Sequence, residues 1–88
     1  MLERDIERHL VKRVKQHGGL CLKFSSPGRA GVPDRIVVLA AGRVLFIEVK
    51  RPGARPTKLQ LHMLTVLKDL GCEVNWIDSK EAVDEIFT

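Results

Sequence analysis

Two short runs of this 88-residue chain hold acids and a base that could act together: Pro33-Asp34, and Glu48-Val49-Lys50, which begins fourteen residues after Asp34. If the second run is extended, alternate side chains share a face, so Glu48 and Lys50 project together and Val49 points away. Asp34 joins them in only one hairpin register. A two-residue turn at Ala41-Gly42 would set Asp34 opposite Val49, on the wrong face, whereas a three-residue loop, Ala40-Ala41-Gly42, sets it opposite Glu48. The three-residue loop needs a left-handed residue at its end, and Gly42 stands there. Directly opposed residues have Cβ atoms about 4.5–5.5 Å apart, close enough for two carboxylates to reach one divalent cation. Mg²⁺ (or Mn²⁺) suits such a pair, because one or two carboxylates plus a substrate phosphate complete its oxygen shell. A cation held there would polarise a phosphodiester and acidify an attacking water. Lys50 could orient that water or stabilise developing negative charge.

The elements that must position these groups follow from periodicity. Leu2, Ile6, Leu10, Val11 and Val14 form the stripe of an amphipathic helix from Leu2 to about His17, ended by Gly18-Gly19. A short strand is expected over Leu20 to Ser25, then a loop containing Pro27-Gly28 and Gly31. Further strands are expected from Asp34 to Leu39 and from Arg43 to Lys50. Their apolar runs, Ile36 to Leu39 and Val44 to Ile47, are continuous, which predicts that helices cover both faces of the hairpin. The basic loop Arg51 to Pro56 precedes a helix opened by Thr57, with Met63, Val66, Leu67 and Leu70 on one stripe and Gly71 at its end. A strand over Glu73 to Ile77 and a helix capped by Ser79 complete the order α-β-β-β-α-β-α. This is an α/β domain, one sheet with packed helices, and residues 1–88 form a single folding unit.

Composition agrees with a nucleic-acid partner without requiring one. Fifteen Lys and Arg against eleven Asp and Glu give a net charge of +4, and basic groups that neutralise phosphates gain from counterion release. Arg29, Arg35, Arg51, Arg55 and Lys58 are expected in loops flanking the acids, where a DNA backbone would approach, and Ser26 could donate to phosphate or shape its turn. No apolar run is long enough to span a bilayer, and the N-terminus does not read as a signal peptide, so no membrane role and a cytoplasmic location are expected. Cys21 and Cys72 lack metal-ligand spacing and read as buried free thiols.

The sequence Gly31-Val32-Pro33-Asp34, a hairpin, Glu48-Val49-Lys50, and a following helix that opens at Gln60 resembles the VRR-NUC branch of the PD-(D/E)xK, or restriction-endonuclease-like, nucleases, especially its stand-alone virus-type members. Glu3-Arg4-Asp5-Ile6 with Glu48-Val49-Lys50 is also similar to archaeal Holliday-junction resolvases. The resemblance spans Glu3 to about Asp78. It implies a restriction-endonuclease-like α-β-β-β-α-β core, with a mixed sheet flanked by helices. It further implies metal held by Asp34, Glu48, the Val49 carbonyl and the first-helix acid Glu3, with Lys50 and Gln60 assisting catalysis. Pairing as a homodimer and action on branched DNA such as four-way junctions are implied as well.

Plainer roles compete at several positions. Glu7 lies one turn beyond Glu3 and could replace it, and both are ordinary acids for the start of a helix. Thr57-x-x-Gln60 matches a capping box, so Gln60 could be a cap, a catalytic group, or both. Trp76 is expected in the core rather than as a base-stacking platform. A binding module without catalysis, or a nuclease acting on RNA, are the other functions these residues permit. The first and last helices are both candidate dimer surfaces.

Overall fold

The computed structural model describes all of residues 1–88. Helix α1 (Glu3–Gln16) starts where the Asp5 carboxylate accepts the Leu2 backbone N–H at 2.8 Å, and turns its Ile6, Leu10 and Val14 edge inward. Strands β1 (Leu20–Lys23), β2 (Arg35–Leu39) and β3 (Arg43–Val49) form an antiparallel meander. Helix α2 (Lys58–Asp69) then crosses back so that β4 (Glu73–Ile77) pairs parallel to β3, and α3 (Lys80–Glu85) follows. The result is a mixed four-stranded sheet in the order β1-β2-β3-β4, flanked by helices.

Local chemistry explains the boundaries. Thr57 and Gln60 satisfy each other's backbone amides at the start of α2, and the Ser79 hydroxyl accepts the Ala82 N–H at the start of α3. The turn between β2 and β3 is the three-residue loop Ala40–Gly42, with Gly42 at φ 73°. Its register sets Arg35 opposite Ile47 and Leu39 opposite Arg43, so Asp34 falls next in line, across from Glu48.

One sheet face is closed. Val37, Leu45, Ile47, Val49 and Ile77 pack against Ile6, Leu10 and Val14 of α1 and against Val83 and Ile86 at α3, a single buried core. The other face carries Leu20 and Leu22 of β1, Ile36 and Val38 of β2, Val44 and Phe46 of β3, and Val74 and Trp76 of β4, as the cross-strand pairings require. Here full cover was expected and is not found. Helix α2 packs mainly on β4, burying Met63 and Leu64. Leu20, Leu22 and Val44 remain 59%, 47% and 41% exposed. Leu70, expected on the inner stripe of α2, is its C-cap and lies in solvent. A continuous apolar run therefore signals two apolar faces, but not that one chain covers both.

Candidate active site

Asp34 stands just before β2. Pro33 is buried before it, and the Asp34 carbonyl accepts the Phe24 N–H at 2.9 Å, which extends the β1 pairing to this residue. Across the hairpin, the Asp34 Oδ2 accepts the Val49 backbone N–H at 2.8 Å. That bond fixes the Asp34 carboxylate against β3, on the face that carries Glu48. Lys50 follows directly. Its N–H donates to the Ile77 carbonyl at 2.8 Å, and its Nζ lies 3.4 Å from the Glu48 Oε2.

Glu48 is the only charged residue in the buried set, at 2% exposure. Its Oε1 has no hydrogen-bond partner. A buried carboxylate oxygen left unpaired is costly unless something else satisfies it. Burial pushes the Glu48 carboxyl up to about 7; the Asp34 charge adds to the rise, and the Lys50 ammonium opposes it. The site is thus short of positive charge despite Lys50. A divalent cation is the chemical complement of these atoms, and two carboxylates with bound water and phosphate suffice for Mg²⁺.

Several expected site residues stand elsewhere. No third acid joins Asp34 and Glu48 in a metal-binding cluster. Glu3 is exposed on the first turn of α1, and Glu7 receives the Arg35 Nε at 2.9 Å. Arg35 is corrected by the same contact. It lies in β2 rather than a loop, on the face turned to α1, and its charge is engaged by Glu7 with only 11% of its side chain exposed. Gln60 forms the capping box, its Oε1 accepting the Thr57 N–H at 2.9 Å, which leaves its amide nitrogen as the donor it can present to a ligand. Arg29, Arg51, Arg55 and Lys58 are exposed and enter none of the ion pairs, and Ser26 is half-buried in its turn. Trp76 is not the core residue expected. It is half-buried beside Glu48, with the Arg55 guanidinium 5.9 Å above its ring.

The buried Glu48, with Asp34 and Lys50 beside it at the strand ends of a small mixed α/β sheet, is the arrangement expected of a phosphodiester-cleaving domain. The comparisons with known proteins agree. The VRR-NUC domain profile matches residues 2–81. A protein of Acyrthosiphon pisum secondary endosymbiont phage 1, named "Putative nuclease p44", is 48% identical over 79 residues, covering 90% of this chain and 85% of its own length. A solved structure described as "VRR_NUC domain" superposes with a TM-score of 0.91 at 31% identity, over 97% of this chain and 92% of that one. The chain belongs to the VRR-NUC domain family.

Proposed function

We propose that this protein is a divalent-metal-dependent endonuclease that hydrolyses phosphodiester bonds in DNA, with Asp34, Glu48 and the Val49 carbonyl holding Mg²⁺ or Mn²⁺. The observation that carries the reading is the Glu48 carboxylate, buried beside Asp34 with one oxygen unpaired. A bound cation supplies Lewis-acid polarisation of the phosphate and a more acidic water. Asp34, tied to the Val49 amide, keeps its second oxygen directed by the backbone rather than by a free rotor. Lys50 carries an ammonium group next to the acids, able to donate to a phosphate oxygen as negative charge builds there. Arg29, Arg51, Arg55, Lys58 and Ser26 receive the flanking backbone, and the Gln60 amide nitrogen adds a donor from α2. Glu3, exposed on the first turn of α1, is left out of this proposal. No helix is long and apolar enough to cross a membrane.

The test is cleavage of labelled four-way junction, flap, plain duplex and single-stranded RNA with Mg²⁺, Mn²⁺ or EDTA. Metal-dependent cutting of DNA, greatest on the junction and abolished by EDTA, is expected. No cleavage of any DNA under either metal would remove the reading, and cleavage of RNA alone would replace its substrate.

Preference for branched DNA follows if two copies act together, and the open sheet face supports that pairing. Leu20, Val38 and Val44 form one cross-strand row, and Leu22, Ile36 and Phe46 the next, with Phe24 against the Phe46 ring. Contiguous exposed apolar surface on the scale of a few hundred Å² marks an interaction site. A homodimer interface needs about 800 Å² per partner with an apolar centre, and the exposed Leu20, Leu22 and Val44 of these rows can supply that centre. Among large exposed hydrophobics, α1 offers only Val11 and α3 none, so the sheet is the better surface for a second copy than either helix. Glu48 lies two residues beyond Phe46 on the same face, about 7 Å along the strand. Each acid pair would therefore flank the shared surface and face its own strand of a junction. Val44→Glu, a change at an exposed position, is expected to weaken dimerisation by about 100-fold or more, since like charges would meet across the two-fold. Sedimentation equilibrium checks it, and an unaltered dimer would move the interface elsewhere.

A further inference from the structure

The strand beside the acid pair carries the only tryptophan of the chain. Trp76 in β4 is the register partner of Glu48, about 4.8 Å away across the parallel pair and on the same face. Trp76 lines the groove between α2 and β4 together with Leu61, Leu64 and Val74. The Arg55 guanidinium lies over the ring. The loop carrying Arg55 is pinned at both ends. It leaves the sheet at Lys50, whose N–H is bonded to Ile77, and returns through buried Pro56 to the Thr57 cap.

Arg55 differs from the arginines held by structure. Arg13, Arg35 and Arg43 are each paired with a carboxylate, whereas Arg55 has none. A carboxylate partner would neutralise the guanidinium and occupy its N–H fork. An aromatic face orients the group through its π cloud and leaves both the charge and the fork free. The fork matches the geometry of a phosphodiester. What the fold places here is a cation with no carboxylate partner, over an aromatic ring one strand from Glu48.

We infer that Trp76 is a positioning residue that holds Arg55 as a clamp for the phosphodiester next to the one being cut. The inference rests on the nuclease reading and deepens it by assigning a neighbouring subsite. The clamp binds substrate and takes no part in the chemical step, so its loss raises KM and leaves kcat near its original value.

Two measurements test it. Affinity for a fluorescein-labelled duplex, followed across NaCl concentration in the Asp34→Asn background, reads the phosphates neutralised, at a slope of about 0.9 per phosphate. Arg55→Gln should lower that slope by about 0.9, the value of one contact. Trp76→Leu should lower it to the same degree, Trp76→Phe should restore most of it, and the Trp76→Leu/Arg55→Gln double variant should lose no more than Arg55→Gln alone. In the otherwise unchanged enzyme, Arg55→Gln and Trp76→Leu should each raise KM several-fold and leave kcat within about twofold. With one Trp and no Tyr in the chain, intrinsic emission reports on Trp76 alone, so DNA should alter it in the Asp34→Asn protein. An unchanged salt slope in Arg55→Gln overturns the clamp. So does a normal slope in folded Trp76→Leu, or failure of Trp76→Phe to recover one. If Trp76→Leu does not fold, Trp76→Met takes its place with the same expected loss, and a normal slope in folded Trp76→Met overturns the positioning role. A parent protein that cuts no DNA sinks the nuclease reading instead, which the cleavage assay reveals before any variant is made.

Discussion

Asp34→Asn is expected to lower the single-turnover rate of DNA cleavage by about 10²–10³-fold, the scale of losing one preorganised electrostatic partner, while leaving the fold and DNA affinity in place. The substitution separates the two tasks of this side chain. Asp34 accepts the Val49 N–H, and the amide oxygen of Asn can accept the same bond, so the hairpin edge keeps its geometry. What is removed is the negative charge facing Glu48. A cation shared by the two carboxylates, as proposed, would lose one of them, and the Asp34 share of the rise in the Glu48 carboxyl, which burial chiefly causes, is relieved. DNA should bind as well or more tightly, because one repelling charge near its phosphates is gone. Asp34→Ala is the control for structure. It leaves the Val49 N–H without its acceptor, at a cost of about 1–3 kcal/mol, and should lower Tm where Asn does not. Cleavage by Asp34→Asn at the parent rate, under conditions in which EDTA stops the parent enzyme, would place the metal elsewhere.

How far these residues could be read before folding depends on the range of the interaction. Contacts set within a few residues were legible. Thr57 with Gln60 and Ser79 with Ala82 fix the starts of two helices. Gly42 fixes the hairpin register, because its φ of 73° suits glycine. Asp34 and Glu48 could therefore be placed together from spacing alone. Contacts between elements far apart in sequence were not legible. Glu7 and Arg35 meet across 28 residues, and no local pattern marks Arg35 as belonging to the α1 face until its strand boundary is known. Trp76 reaches Glu48 only because α2 carries the chain over to a parallel β4; the resemblance implies a mixed sheet, and nothing in the sequence says which strands run parallel. The open half of the sheet is hidden from the sequence for a related reason. Apolar patterning records which surfaces leave water, and it cannot say whether the same chain or another covers them.

The thermal stability of the metal-free protein should fall as pH rises from about 5 to 8, and Mn²⁺ should reverse that fall. Glu48 has an ordinary value of 4.5 and is held at about 7 in the fold. Between those values the folded chain keeps a proton that the unfolded chain has released, so raising the pH favours unfolding. The contribution is complete below pH 4.5 and gone above about 7, the reverse of a salt-bridged carboxylate. A drop in Tm on the order of 10 °C is expected for a domain this small. In the proposed site Mn²⁺ would bind the ionised pair, and at 100 times its Kd it would add about 2.7 kcal/mol, which corresponds to roughly 10–20 °C. At pH 5 the cation must displace the Glu48 proton, so its effect there should be much smaller. Glu48→Gln removes the titrating group and a ligand together. Its metal-free Tm should lack this component of the pH dependence, exceed that of the parent at pH 8, and gain little from Mn²⁺. Differential scanning calorimetry of both proteins at pH 5 and 8, with and without Mn²⁺, checks all four conditions. A parent whose Mn²⁺ response is the same at both pH values, or a Gln variant that responds as the parent does, would show that the buried carboxylate is not where the cation binds.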